Sequence, residues 1–464
     1  MRPQVSASSP SRAWLVDRHA LPAYRRGWPA SASDSSITRV PSPQSLLAEL
    51  SWRGLIAESS QGVEARLAKG PISAYVGFDA SARSLHVGNL VQGFVLTHLQ
   101  RFGGTPFIVV GGGTGMIGDP SGKSSERNLL DDEQIRANSA AIQAQLEHFV
   151  DFTPGPHQAQ MVDNREWLAQ WKLLDFLRDI GKHFSVPYML SKDSVQQRLG
   201  AGMSFTEFSY MTLQSADFLE LFRTRGVEMQ MGGADQWGNI TAGLELIRRV
   251  VGREEAEEPA AYAMCSPLLL TRDGRKMGKS EKGAVFLNPA MTSPYDFFQY
   301  WLNDDDELVA QHLRWLTLKP ADEIYDIEEQ HAKAPEKRPA QRALAHDLTA
   351  RVHGKQEADQ QVRVADAAFS GAPITDPDVL DVLYDAIDHY DFHAGDTADA
   401  LTLAVASGLV TSKSEGRRLL DQGGLSVNGE RVTDVAAALP ELIDGRYLVL
   451  RAGKKRLLIA RKST

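Results

Sequence analysis

The chain has 464 residues, 42% of them hydrophobic and 23% charged, with 50 basic and 59 acidic side chains for a formal net charge of −9. This composition excludes a disordered chain, and no apolar run approaches the roughly 18 residues of a membrane helix, so a soluble protein is expected. A single cysteine, Cys265, excludes an internal disulfide framework and a cysteine-cluster metal site, and suits a reducing, cytoplasmic setting.

At roughly 100–200 residues per domain, two to four domains are expected. Residues 1–43 are rich in Ser, Pro, Ala and Arg, with only Asp17 and Asp34 acidic, and read as a disordered or adventitious extension. Their make-up is compatible with an organelle transit peptide or with an over-long start. From Ile72 the text alternates strand and helix: a strand to Phe78, a helix from Leu90 to Phe102 stopped by Gly103-Gly104, and a short strand Pro106–Val110 ending in three glycines. That is a βαβ unit, which implies a parallel sheet with its chemistry at the carboxyl ends of the strands. Helices are expected over 132–149 and 165–180, within a mostly helical insertion from about 120 to 205. Ser204 and Glu207 form a capping-box pattern opening a helix to about Phe222. A strand over 227–231, a helix over 239–251 and a buried strand over 267–270 complete a domain of residues 44–290.

Ser293-Pro294 marks a new start, an N-cap followed by proline at the first helical position, and only helices are expected to Phe369. Leu344, Leu348 and Val352 recur on one face. Residues 370–397 read as a linker. The remainder, 398–464, reads as helix, strand, an Asn428-Gly429 hairpin turn, and a last basic strand pair. Residues 401–464 hold 11 basic and 6 acidic side chains, a net of +5, so the 400 before them carry −14. A basic end on an acidic body suits a chain that meets a polyanion at one place only.

Gly113-Thr114-Gly115-Met116-Ile117-Gly118 fits G-x-G-x-x-G, but Asp119-Pro120-Ser121-Gly122 follows where a dinucleotide fingerprint opens into a helix. A Walker A loop ending at Lys123-Ser124 needs glycine at position 117, which is isoleucine. His86 and Asn89 are more informative, lying three apart between a strand and the start of a helix, where unsatisfied N–H groups favour phosphate. Gly88 between them lets a nucleotide approach the backbone. Lys276-Met277-Gly278-Lys279-Ser280 puts two lysines and a hydroxyl on one glycine-containing loop. Alone, His86 reads as a structural histidine and the lysine loop as a solvated turn.

Together the two segments resemble the HIGH and KMSKS signatures of class I aminoacyl-tRNA synthetases. Residues 75–79, 118–123, 204–211 and 232–239 extend the likeness to the bacterial tyrosyl-tRNA synthetases over about 45–464. Asn89 replaces the second histidine of the one signature and Gly278 the serine of the other; asparagine still donates, and glycine is expected to loosen the loop. The resemblance implies a doubly wound, Rossmann-like parallel sheet with a helical insertion, then an all-helical anticodon-binding-like domain over 291–369 and a small α+β RNA-binding domain. It implies activation of L-tyrosine by ATP, with Mg2+ accompanying the ATP and no dedicated protein metal site, then transfer to tRNA(Tyr) by a homodimer with contacts around the insertion and Phe205.

Amino-acid activation needs alignment and charge stabilisation rather than a general base, and His86, Asn89, Lys276, Lys279 and Ser280 meet that need. Tyr210, Gln214 and Asp217 share one helix face at i, i+4 and i+7. By resemblance, Tyr75 and Asp217 hold the substrate phenol, while Asp119, Tyr210 and Gln214 hold its ammonium. Gly77, Asp79, Gly88, Asp235, Gln236 and Lys279 meet the ATP or adenylate. Lys413, Arg417, Arg418, Lys454 and Lys455, with Arg451 and Arg456, are expected on tRNA phosphates. A tryptophanyl-type enzyme, a non-catalytic RNA-binding derivative and an NAD-linked oxidoreductase using residues 113–118 are the alternatives.

Overall fold

The computed structural model describes residues 45–119, 131–200, 202–251, 258–280, 283–393, 399–453 and 456–463. The expected amino-terminal extension therefore lies outside the described residues, as do Lys454 and Lys455.

Alternating apolar residues that face two different layers build the first sheet. Its strands are β1 (Glu58–Ser59), β2 (Ser73–Phe78), β3 (Thr105–Val110), β4 (Gln160–Asp163), β5 (Met229–Gly233) and β6 (Tyr262–Ser266), in the order β1-β6-β5-β2-β3-β4. All neighbours are parallel except β1 against β6. Val76, Phe78, Ile108 and Val110 pack with Phe94 and Leu99 of the Leu90–Arg101 helix. Tyr75, Phe107 and Val109 point the other way, into a cluster with Phe218 and Leu246. Burial on both faces explains why these strands read as continuous apolar runs. Each fully buried phenylalanine, such as Phe94 or Phe218, contributes about 1.5–3 kcal/mol. The chain proceeds outward from β2 to β4, then returns to the opposite side of β2 with β5 and β6. The direction of winding reverses between β2 and β5, which opens a crevice at their carboxyl ends.

Three expectations are corrected here. The buried strand is Tyr262–Ser266, not 267–270; Pro267 ends it, and Leu270 keeps only an isolated bridge to Lys276. The helix expected over 165–180 is broken into Arg165–Leu168 and Leu173–Asp179, and the insertion adds β4 to the sheet besides its helices. The stretch read as a linker folds: it carries the Pro377–Ala386 helix, capped by Asp376, and β9 (His389–Phe392).

Between these regions, β7 (Lys279–Ser280) and β8 (Gly283–Ala284) form a short antiparallel pair. Ser293 caps the Pro294–Leu302 helix by accepting from the Asp296 N–H at 3.0 Å, and helices continue to Phe369 with Leu344, Leu348 and Val352 buried, as their spacing predicts. The second sheet holds β9, β10 (Leu425–Val427), β11 (Glu430–Arg431), β12 (Tyr447–Ala452) and β13 (Arg456–Lys462), in the order β11-β10-β12-β13-β9. Asn428 (φ 51°) and Gly429 (φ 85°) make the left-handed pair that a two-residue hairpin turn requires. The Ala400–Ala406 and Lys413–Asp421 helices cover one face of that sheet.

Candidate active site

The two signature segments meet across the crevice. Val87 N–H donates to Val285 O at 3.0 Å, and Leu287 N–H donates to Leu85 O at 2.9 Å. A Cβ built on Gly278 would lie 3.3 Å from His86 Nδ1, and one on Gly88 would lie 3.3 Å from Met277 O. Gly278 also holds φ at 118°, so glycine here answers to close approach and backbone conformation. Segments almost two hundred positions apart in sequence thus flank one opening.

Local capping fixes what His86 and Asn89 can offer. Gly88 N–H donates to His86 Nδ1 at 3.0 Å, which makes Nδ1 the acceptor and leaves the proton on Nε2. His86 N–H donates in turn to Asn89 Oδ1 at 3.0 Å. The acceptor end of that amide is used inside the turn, so its two N–H donors are what it can present to a ligand. Lys276 Nζ lies 2.5 Å from Asp235 Oδ2, an ion pair spanning the crevice from the lysine loop to the turn after β5. Lys279 and Ser280 enter through their backbone in β7; their side chains lie outside the described residues.

The opposite wall is a polar slot in apolar packing. Asp217 is 3% exposed on the Phe205–Arg225 helix. Its Oδ2 accepts from Asn164 Nδ2 at 2.9 Å and its Oδ1 from Trp167 Nε1 at 2.7 Å. Burial still pushes the Asp217 carboxyl up to about 7, because desolvation of the charge outweighs both bonds. Tyr75 packs against Phe218 with ring centroids 5.4 Å apart, and its buried hydroxyl has no hydrogen-bond partner among the described residues. Burial, and then the Asp217 charge, raise the Tyr75 phenol well above its ordinary value. Gln214 Oε1, one turn from Asp217, is also buried without a partner among the described residues. Leaving such atoms unpaired costs about 1–3 kcal/mol each unless a ligand pairs them.

Tyr210 is buried on the same helix, and Asp119 Oδ2 accepts from Gln236 Nε2 at 2.7 Å. Asn239 Nδ2 donates to Gln236 Oε1 at 3.2 Å. Gly77 and Asp79 follow from the end of β2, and a Cβ on Gly77 would meet nothing within 4 Å, so the backbone there is open to a ligand.

Asn164 and Trp167 were not among the expected site residues. Asn164 follows β4 directly and takes the Gly113 N–H at 2.7 Å on Oδ1, while its Nδ2 also reaches Thr114 Oγ1 at 2.8 Å. The glycine run at 111–115 therefore ends in a one-turn helix (Thr114–Met116) beside Asn164. Position at the carboxyl end of a parallel strand is the signal that would have found Asn164. At the other end of the chain, Lys413, Arg417 and Arg418 stand exposed on the Lys413–Asp421 helix. Arg456 is directed elsewhere, to Leu409 O at 2.9 Å and Glu415 Oε1 at 3.0 Å, as is Arg451. No group of three or more His, Cys, Asp or Glu that could hold a metal ion occurs among the described residues.

A family model described as tRNA synthetases class I (W and Y) matches residues 67–370, and one described as a tyrosine--tRNA ligase SYY-like C-terminal domain matches 381–460. The chain is 45% identical over 426 residues to the tyrosine--tRNA ligase of Roseiflexus castenholzii, covering 90% of this chain and 99% of the relative. It is 48% identical over 425 residues to that of Anaeromyxobacter dehalogenans, with the same coverage. Among solved structures it is similar to a C-terminally truncated mitochondrial tyrosyl-tRNA synthetase of Aspergillus nidulans, with a TM-score of 0.63 and 28% identity over 70% of this chain and 95% of that one. The corresponding Coccidioides posadasii protein gives a TM-score of 0.60 and 31% identity over 69% and 92%.

Proposed function

The chain belongs to the class I tRNA synthetases of the tryptophan and tyrosine family, and from that premise we propose that it acts as a tyrosine--tRNA ligase. L-tyrosine and ATP give tyrosyl-adenylate and pyrophosphate, and the tyrosyl group then passes to the 3′-terminal adenosine of tRNA(Tyr). The observation that carries the choice of amino acid is the buried Asp217 carboxylate, anchored by Asn164 and Trp167, beside a Tyr75 hydroxyl that lacks a partner among the described residues. A phenol O–H donates to a remaining lone pair of the first and can accept from the second; an indole's carbon edge would leave the buried charge without that third donor and the Tyr75 hydroxyl without an acceptor, which disfavours the tryptophan alternative.

In the activation step the tyrosine carboxylate attacks the α-phosphorus of ATP, a P–O bond forms, and pyrophosphate leaves. No side chain need take a proton. His86 Nε2–H, the Asn89 amide, Lys276 and Lys279, with Ser280 beside them, stabilise charge on the phosphates, and Mg2+ arrives with the ATP as part of the substrate. Lys276 would exchange Asp235 for phosphate, freeing that carboxylate to join Gln236, Gly77, Asp79 and Gly88 along the ribose and adenylate. Asp119, Tyr210 and Gln214 hold the ammonium group, which fixes the carboxylate in line with phosphorus.

For the second substrate, the exposed Lys413, Arg417 and Arg418 supply a positive surface, with residues 291–369 supporting the anticodon region of the tRNA. A homodimer is supported by apolar side chains bared on the insertion and the adjoining helix start: Leu173, Leu174, Leu177, Val186, Leu199 and Phe205, the last 78% exposed. A cytoplasmic location belongs to the same proposal. Pyrophosphate exchange with tyrosine, phenylalanine and tryptophan tests the reading: exchange with tyrosine alone is expected, and comparable exchange with tryptophan refutes it.

A further inference from the structure

The loop that leads from β2 to His86, residues 79–85, is neither helix nor strand, yet it delivers His86 and Asn89 to the crevice. A helix of the insertion shapes it from behind. The Asp132–Leu146 helix opens on a reciprocal capping box between Asp131 and Gln134, and its Ile135, Ile142 and Leu146 are buried in one cluster with Ala80, Leu85 and Val87. Within that apolar stripe, Asn138 and Gln145 stand two turns apart on the same face. Asn138 is 6% exposed, and its Nδ2 donates to Ala80 O at 2.8 Å, at one end of the loop. At the other end Gln145 Oε1 takes the Leu85 N–H at 2.8 Å, with Ser84 Oγ 3.3 Å away. Backbone groups that no strand or helix pairs must be satisfied in some other way, and here one helix clamps two of them. Seven residues of helical rise set those two anchors about 10 Å apart.

Leu85 is also where the second signature segment is attached. Its carbonyl takes the Leu287 N–H, Val87 N–H reaches Val285 O, and Val285 N–H donates to Gly278 O at 2.9 Å. Ser84 Oγ takes the Asn288 N–H at 3.1 Å. The Gln145 bond therefore lies at the back of the same hydrogen-bonded pairing that joins the His86 segment to the lysine loop.

We propose that Asn138 and Gln145 are positioning residues for tyrosine activation, templating the loop so that His86 Nε2 and the Asn89 amide stand where charge develops, and touching no substrate themselves. The inference rests on the activation chemistry given above. Donors held in place before the reaction stabilise charge without reorganising, and a displacement of about 1 Å can cost as much as a hundredfold in rate. The tyrosine slot lies on the opposite wall, so binding of that substrate should not register the change.

The test uses the full chain. Gln145→Leu keeps the bulk and removes the acceptor; it is expected to lower kcat for tyrosine-dependent pyrophosphate exchange about tenfold, with KM for tyrosine unchanged. Gln145→Glu retains an oxygen for the Leu85 N–H and should recover most of that rate. Asn138→Ala frees the other end of the loop and should produce a loss of the same kind. In a His86→Ala background, Gln145→Leu should cost no more than about twofold further, because the group it positions is gone. Losses that multiply in full overturn the inference. So does an unchanged kcat in both Gln145→Leu and Asn138→Ala, or a Gln145→Glu no better than Gln145→Leu. Hydrogen exchange of the amides in 84–89 should quicken in Gln145→Leu while those of β2 and β3 stay protected; a general loss of protection would make Gln145 part of the core and end its positioning role. Failure of the unaltered chain to exchange pyrophosphate with tyrosine would count against the ligase reading and not the clamp, because amide protection reports the loop with no substrate present.

Discussion

The crevice beyond β2 and β5 and the clamp behind His86 are both built of polar groups set in apolar packing, yet they treat those groups oppositely. In the crevice, Tyr75 OH and Gln214 Oε1 are buried without partners among the described residues, and the Asp217 carboxyl is pushed up to about 7. In the clamp, Asn138 pairs with the Ala80 carbonyl and Gln145 with the Leu85 N–H. A surface awaiting a ligand keeps its hydrogen-bonding capacity open at a cost in stability, whereas a contact between parts of one chain uses that capacity up. Substitutions in the crevice should therefore harm substrate handling far more than folding, and those in the clamp should loosen the loop while sparing tyrosine binding.

The largest effect expected is from Asp217→Ala, which removes the acceptor and strands the Asn164 and Trp167 donors. Tyrosine kcat/KM in pyrophosphate exchange should fall at least a hundredfold, about 2.7 kcal/mol. Preference over phenylalanine should shrink with it; unchanged tyrosine affinity would remove Asp217 from the slot. Next, Lys279→Ala should slow adenylate formation on the order of a hundredfold with tyrosine binding intact, as loss of one charge-stabilising donor does. Normal single-turnover activation would contradict that role. Replacing Lys413, Arg417 and Arg418 together by alanine should leave exchange untouched and weaken tRNA binding roughly tenfold or more, with a salt slope lower by two to three. An unchanged slope would move the RNA surface elsewhere.

How far the sequence anticipates this contrast depends on the range of the interactions. The βαβ unit through β2 and β3 is readable because apolar runs and glycine stops are local signals, and His86 and Asn89 because a helix start is local too. β4 is not: Gln-Met-Val-Asp is short and half polar, and it is a strand only because β3 pairs with it. Asn164 is missed for the same reason, since its role arises when the end of β4 comes beside Asp217, more than fifty positions away in sequence. Tyr262–Ser266 mixes small and sulfur-bearing residues and gains its identity from β5 on one side and β1 on the other. Arg451 shows the limit of counting charge: the positive total of the tail is real, but the pleat of β12 decides which arginine faces solvent and which faces a helix end. The linker reading failed likewise, because β9 is a strand only against β13.

Replacing a partner of Asp217 rather than Asp217 itself sharpens the comparison at smaller amplitude. Trp167→Phe keeps the ring and deletes one donor, so tyrosine KM should rise about tenfold or less with little change in melting temperature. A variant that unfolded instead would mark the indole N–H as part of the packing and not of the slot.

The mildest test varies only pH. The folded-state Asp217 carboxyl lies near 7, above its unfolded value of 3.8, chiefly because burial penalises the charge. The folded chain therefore binds a proton more tightly than the unfolded one. The stabilisation this group contributes is fully present below about pH 4 and is lost as pH rises through 7. Tyrosine reverses the preference, because its phenol O–H donates to the ionised carboxylate and draws the occupied group back toward lower values. Tyrosine affinity should then weaken as pH falls from 7 toward 5, by no more than about tenfold per pH unit since one proton is linked. The free chain's melting temperature should carry a component of opposite slope from the same residue. Asp217→Asn, which holds no titrating proton, should flatten both trends in equilibrium binding and in thermal melts. A pH dependence of tyrosine affinity that survives in Asp217→Asn would assign the proton to another group and leave the slot's carboxylate ionised throughout.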